Sequence, residues 1–305
     1  MENSFAPGVL WDIVRQRTQD ALRCKALQPI ETKQIILPDH GVDFLVRQVS
    51  SLTCKVKLAQ HITSRAESAM NPFLPCDPAL FVCDVSDSHI CLLNKFNVIE
   101  NHVLIVTREF EHQENLLTEA DFVAWLRCMN EFNSLGFYNG GVIAGASQTH
   151  KHMQLIPLPL GEGEYEFPVS ALMQDLLKDA RAKCNHEADK INFMSCGFPF
   201  QHAVIALLPD KLRNETSAAS YLCKCYSTLL TAVGIKDISG RQSAPYNLLV
   251  TRNWMWLVPR TREFFEFISV NALGFAGSLF VHNAKEFELL RQVGPMEVLR
   301  FVSES

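Results

Sequence analysis

The sequence predicts an α+β protein in which helices flank a mainly antiparallel β-sheet. Three observations carry this expectation. Short apolar runs of strand character follow one another without the regular strand–helix–strand alternation of a doubly wound fold. Between them stand segments whose apolar residues recur at helical spacing and whose ends carry cap residues. No internal repeat or low-complexity tract interrupts the pattern over 305 residues, a length with ample apolar material for a core.

The first helix is expected over 9–27, where Leu10, Ile13, Val14, Ala21 and Leu22 share a face and Pro29 follows. A second is expected over 118–135. Thr118 is a good N-cap with Asp121 three residues on, and Phe122, Trp125, Leu126, Met129 and Phe132 form one face. Gly136 would supply its left-handed C-terminal residue. Further helices are expected at 170–186, at 217–233 before Gly234, and at 285–293. Strands are expected at His89–Leu93, Val103–Thr107, Gly140–Ala144, Met153–Pro157, Ala203–Leu208, Leu248–Thr251 and Met255–Val258. The turn-rich stretch Leu160–Pro168 is the best candidate boundary between two regions, 1–160 and 161–305.

Composition narrows the partners. Hydrophobic residues make up 48% and charged residues 20%, and the net charge is −5. That balance gives no global attraction for nucleic acid or an anionic membrane, so any bound anion must meet a local cluster of positive groups. The acids are unevenly placed. No Asp or Glu occurs from Phe132 to Gly161, nor between Arg241 and Arg262, a stretch with four arginines. Ten cysteines are scattered through apolar segments with no Cys-x-x-Cys pair, which argues against a zinc ribbon or a disulfide framework and for free thiols in a reducing cytoplasm. The N-terminal segment carries Glu2 and Asp12 and lacks the apolar core of a signal peptide. The uncharged run Phe267–Ala284 contains two glycines and reads as buried strand–turn–strand, not as a membrane span.

The segment Tyr138–Pro157 stands apart. Three of its residues around the turn are glycines (Gly140, Gly141, Gly145), and with Ala144 and Ala146 they let backbone approach a ligand closely, with N–H groups available to anions. Ser147 and Gln148 add donors. His150, His152 and Gln154 alternate, so on a strand they would line one surface, with Lys151 on the other. His-x-His is also a metal-ligand spacing, but no third ligand is indicated nearby. The loop lacks the Gly-Lys-Ser/Thr ending of a P-loop.

Together, Asn139, Gly141, Gly145, Ser147 and the His-x-His-x-Gln strand resemble the histidine-triad (HIT-like) superfamily, and Gly145–Gln154 carries whole the Gly-Ala-Ser-Gln-x-His-Lys-His-x-Gln pattern of the diadenosine tetraphosphate phosphorylases, also called ATP adenylyltransferases. Asn71–Pro75, Leu92–Gln113, Tyr246–Arg260 and Asn271–Val281 are also similar to segments of that family. One departure is Cys54, where a basic residue is expected before Lys55. The resemblance implies a HIT-like fold with a C-terminal extension completing the site, residues 1–160 being the catalytic region and 161–305 the ATP adenylyltransferase region.

It further implies a nucleotidyltransferase. Diadenosine tetraphosphate and phosphate would give ATP and ADP, with His152 attacking the α-phosphorus to form an adenylyl-histidine. Gln154 and Ser147 would donate to non-bridging oxygens, His150 would orient neighbouring groups, and the N–H groups of Gly145, Ala146, Ser147 and Gln148 would cradle the polyphosphate. Lys55, Asn94 and Lys95 are carried over as substrate contacts, and Asn139 would position the loop or touch the phosphate. The acid-free stretch Arg241–Arg262 is a second local positive source, in which Arg260 is the expected contact, with Asn247, Thr251 and Trp256 nearby and Trp256 able to stack a base. A divalent cation such as Mg²⁺ would accompany the polyphosphate, with no dedicated protein ligand. The partners are then small-molecule nucleotides, with neither nucleic acid nor membrane. Two alternatives are a superfamily transferase acting on a sugar nucleotide and a non-catalytic nucleotide-binding protein.

Overall fold

The computed structural model describes residues 6–49, 71–161, 165–183 and 197–304. Its elements run α1 (Leu10–Arg23), β1 (Thr32–Asp39), β2 (Val42–Val49), β3 (Phe81–Asp84), β4 (His89–Leu93), β5 (Val103–Thr107), α2 (Glu119–Met129), β6 (Ser134–Gly140) and β7 (His152–Pro157). They continue with α3 (Ser170–Lys183), β8 (Ala203–Ala206), α4 (Glu215–Ala232), β9 (Asp237–Ile238), β10 (Arg241–Gln242), β11 (Tyr246–Val250) and β12 (Trp254–Pro259). The last are β13 (Phe264–Phe265), β14 (Ile268–Ser269), α5 (Ala272–Phe275), β15 (Ser278–Val281), α6 (Ala284–Val293) and α7 (Pro295–Ser303).

Eight strands form one sheet in the order β3-β4-β5-β7-β6-β11-β12-β8, every neighbouring pair antiparallel. The expected α+β class with an antiparallel sheet is what forms. The sheet does not stop at residue 160: β6 pairs with β11, so strands from both halves of the chain build it. A second sheet, β1-β2-β15, joins the ends of the chain, with β15 parallel to β2.

Period-2 side-chain alternation divides the core between the two faces of the large sheet. Met153 and Leu155 point to one face and pack with α1, α2 and α4. Leu135, Phe137, Ile156 and Leu249 point to the other and pack beneath β2, β15, α3 and α5–α7. The even-numbered residues of β7 therefore face the second sheet.

Two expectations fail locally. The helix from Thr118 forms with the full capping box to Asp121 but ends at Met129. Gly136 caps nothing: it lies within β6, where a Cβ would stand 2.7 Å from the Trp125 indole nitrogen. The glycine serves a close helix–sheet approach. The run Gly140–Ala144 is no strand, because β6 stops at Gly140, Gly141 takes φ +96°, and Val142–Ala144 forms one 3₁₀ turn. The helix preceding Gly234 forms, and Gly234 has positive φ. Phe267–Ala284 folds as strand, helical turn and strand, and α7 was not expected. Among the described residues no helix is long and apolar enough to cross a membrane.

Candidate active site

β7 and the turn before it place the chemistry. His152 is the first residue of β7 and is 3% exposed. Its Nδ1 lies 2.8 Å from the His150 carbonyl oxygen. A carbonyl only accepts, so Nδ1 carries the hydrogen and Nε2 keeps its lone pair. Among the described residues nothing hydrogen-bonds to that Nε2. Burial pushes the imidazole pKa down to about 4, which keeps the ring neutral near pH 7.

The neighbouring backbone is fixed by Gln113, which is 1% exposed. Its Oε1 accepts from His152 N at 2.9 Å, and its Nε2 donates to Asn139 O at 2.9 Å and His152 O at 3.3 Å. The side-chain amide thus bridges β6 and β7 where their ladder ends. Behind the strand, Lys151 is buried on the opposite face as the alternation requires. Its Nζ donates to Asp121 at 2.8 Å, to Glu111 at 2.9 Å and to the Leu116 carbonyl at 3.1 Å. Burial alone would raise the Asp121 pKa, but His89 and Lys151 outweigh it and hold the carboxyl at about 2.

His152 and Gln154 line a cavity of about 1210 Å³ together with Asn94, Lys95, Asn139, Gly145, Ser147 and Gln148. Seven of the expected contacts therefore surround the expected nucleophile. Gln154 Oε1 accepts from His102 Nε2 at 3.0 Å, and His102 Nδ1 accepts from Asn94 at 3.1 Å. This chain leaves the Gln154 amide hydrogens for a ligand. Burial holds His102 at about 4, so it is neutral and donates through one nitrogen only.

His150 does not join this surface. It precedes the β7 ladder in an isolated bridge with His112. Its Nε2 donates to the Glu109 carbonyl at 3.1 Å and lies 2.9 Å from Thr107 Oγ1, while Asn71 donates to Nδ1 at 2.9 Å. Both ring nitrogens are committed to protein groups. Its contribution to the cavity is the carbonyl that fixes His152.

The loop is tighter than expected. Gly145 N donates to Val142 O at 2.8 Å and Ala146 N to Gly141 O at 3.1 Å, so these two N–H groups are spent inside the turn. The N–H groups of Ser147 and Gln148 have no protein acceptor among the described residues. Gly145 has φ +88°, and a Cβ there would stand 2.8 Å from the Asn271 Cβ. Only glycine fits that contact.

The C-terminal contacts fall behind the cavity wall. Asn139 Oδ1 accepts from Asn247 at 2.8 Å and from Ala272 N at 3.0 Å. Asn247 also donates to Ala144 O at 2.8 Å and accepts from Arg260 Nη1 at 2.6 Å. Arg260 is 2% exposed and gives its remaining donors to carbonyls, among them Val270 at 2.8 Å, Arg262 at 2.7 Å and Val302 at 3.2 Å. It braces the loop and does not line the cavity. Trp256 is fully buried, stacked on Phe198 at 4.8 Å, and cannot reach a base. Thr251 accepts from Asn253 N and Trp254 N in the β11–β12 turn. Lys55 lies outside the described residues. Sequence reasoning missed Gln113 and His102, lone polar residues whose roles arise only when strands distant in sequence meet.

Comparison with known proteins identifies relatives. The family model described as Ap4A phosphorylase N-terminal domain matches residues 1–175, and that described as ATP adenylyltransferase C-terminal domain matches residues 197–304. Diadenosine 5',5'''-P1,P4-tetraphosphate phosphorylase 2 of Saccharomyces cerevisiae is 25% identical over 279 residues, covering 86% of this chain and 83% of that protein. Protein APA1 of the same yeast is 26% identical over 215 residues, 66% of this chain, and the match spans 64% of the relative's length. The fold matches the crystal structure of yeast Ap4A phosphorylase Apa2 in complex with Ap4A, with TM-score 0.73, 21% identity and 98% of each chain covered.

Proposed function

The chain belongs to the Ap4A phosphorylase family, and on that premise we propose that it catalyses reversible phosphorolysis of diadenosine tetraphosphate, giving ATP and ADP through an adenylyl group carried on His152. The observation that carries this reading is the neutral His152 ring, whose Nδ1–H is committed to the His150 carbonyl while Nε2 meets no hydrogen-bond partner among the described residues.

In the first step the Nε2 lone pair forms a bond to the α-phosphorus. The bond from that phosphorus to the bridging oxygen breaks, and its electron pair leaves with ATP. The ring becomes cationic, and the His150 carbonyl stabilises that charge through Nδ1–H. In the second step an oxygen of inorganic phosphate bonds to the same phosphorus. The N–P bond breaks, its pair returns to Nε2, and ADP departs. A terminal phosphate of ATP leaves as an anion without needing a proton, so the demand on the protein is positioning and charge stabilisation. The Gln154 amide, Ser147 and the N–H groups of Ser147 and Gln148 meet that demand at the non-bridging oxygens. Gln154 has no proton to exchange, which suits phosphate better than water as acceptor. Asn94 and Lys95 would contact the substrate from the β4 end, and Lys55 is retained as a contact on the family resemblance alone.

Mg²⁺ would neutralise part of the polyphosphate charge and be held by phosphate oxygens, since among the described residues no group of three His, Cys, Asp or Glu could hold a metal. A cytoplasmic setting belongs to the same reading, supported by seven free cysteines among the described residues.

The test is incubation with the dinucleotide and isotopically labelled phosphate. Equal ATP and ADP, with the label only in ADP, is the expected result. Unlabelled mononucleotides, or consumption of a sugar nucleotide in place of the dinucleotide, would refute the reading.

A further inference from the structure

The cavity is larger than the roughly 300–1,000 Å³ typical of small-ligand pockets, and its far wall is the second sheet. There β15 runs parallel to β2, which sets Arg47 beside Phe280. Arg47, Ser278, Phe280 and His282 all line the cavity that holds His152. Among the described residues no carboxylate pairs with Arg47. Among the described residues its one hydrogen bond runs from Nη2 to the Leu160 carbonyl at 2.7 Å, and its Nε is buried without a partner. Seven other arginines among the described residues are paired with carboxylates. Arg260 and Arg262 spend their donors on carbonyls. Among the described arginines Arg47 alone combines a half-buried cavity position with an unused donor edge. Burial also pushes its pKa down, a cost that an anion in the cavity would offset.

We propose that Arg47 is an anion contact of this cavity and holds phosphoryl oxygens of the nucleotide beyond the phosphorus that His152 attacks. The guanidinium presents donors in a fixed fork that matches phosphate oxygens. The distal assignment follows from placement. The attacked phosphate is served by Gln154 and the Ser147–Gln148 turn, whereas Arg47 is on the facing sheet, tied to a residue eight positions after His152. The acid-free segment that carries His152 thus gains its counterpart from β2, not from the arginines of the C-terminal half. The inference rests on the nucleotide reading given above.

The experiment titrates AMP and ATP by calorimetry into His152→Ala, which prevents transfer, and into the same protein with Arg47→Gln or Arg47→Lys. AMP carries only the proximal phosphate. Arg47→Gln is expected to weaken ATP about tenfold or more, as for loss of a hydrogen bond to a charged group. AMP affinity should stay within about twofold, which also shows that the variant folds, and Arg47→Lys should recover part of the ATP loss through its retained charge. Equal losses for AMP and ATP, or no loss for ATP, would overturn the role of Arg47 while leaving the nucleotide reading intact. Failure of both nucleotides to bind with Arg47 present would overturn that reading and the inference with it.

Discussion

A histidine that attacks phosphorus must offer a lone pair at working pH, and it must offer it from a known nitrogen. His152 meets both conditions through burial and one hydrogen bond, to the His150 carbonyl. The consequence is a pH profile displaced from that of free imidazole. An exposed histidine loses its nucleophile as pH falls through about 6.5. With the His152 pKa depressed to about 4, the neutral form persists well below that. The single-turnover rate of adenylyl transfer is therefore expected to be flat from pH 7.5 to about 5.5, with its acid limb nearer pH 4. A limb centred at 6.5 would contradict the buried neutral ring. The sign for stability is the same. His102 and His152 take up protons at about 6.5 when unfolded but only near 4 when folded. Their contribution is full above about 6.5 and is lost as pH falls toward 4.

At the scale of elements, Gly136 shows what local pattern can and cannot reveal. A glycine after a helical face reads as a C-terminal cap, and Phe132 continues the apolar spacing of that face. The structure instead uses the missing Cβ so that the Trp125 indole can lie on β6. Gly136→Ala is expected to lower stability by about 1–3 kcal/mol through overpacking, seen as a shift of the urea midpoint. A helix cap read from sequence would predict strain confined to a surface turn, and an unchanged midpoint would count against the close approach. The strands at 89–93 and 103–107 and the alternation from His152 to Gln154 were legible because each depends on period alone. The cavity positions of His152 and of Gly145, Ser147 and Gln148 were legible from the resemblance. Gln113, His102 and Arg47 were not, because each meets partners far from it in the chain. For the same reason Arg260 and Trp256 were misjudged: residue type and neighbourhood suggest a ligand contact, but burial assigns both to the wall behind it.

At the scale of the whole molecule, one eight-stranded sheet joins both halves of the chain, and the cavity lies between that sheet and the smaller one closed by β15. The N-terminal region supplies His152, and the C-terminal region supplies Asn247, Arg260 and Asn271 to brace the loop beside it. The net charge of −5 is compatible with a polyanionic ligand because the ligand is small and enclosed. The central claim is that His152 carries the adenylyl group between the two nucleotides. It is tested most directly by mixing the protein with diadenosine tetraphosphate in the absence of phosphate, quenching, and mapping the product by peptide mass spectrometry. The account predicts one adenylyl group on the His152 imidazole, released as ADP when phosphate is added. Formation of ATP with an unmodified His152, or with the adenylyl group on another residue, would contradict it.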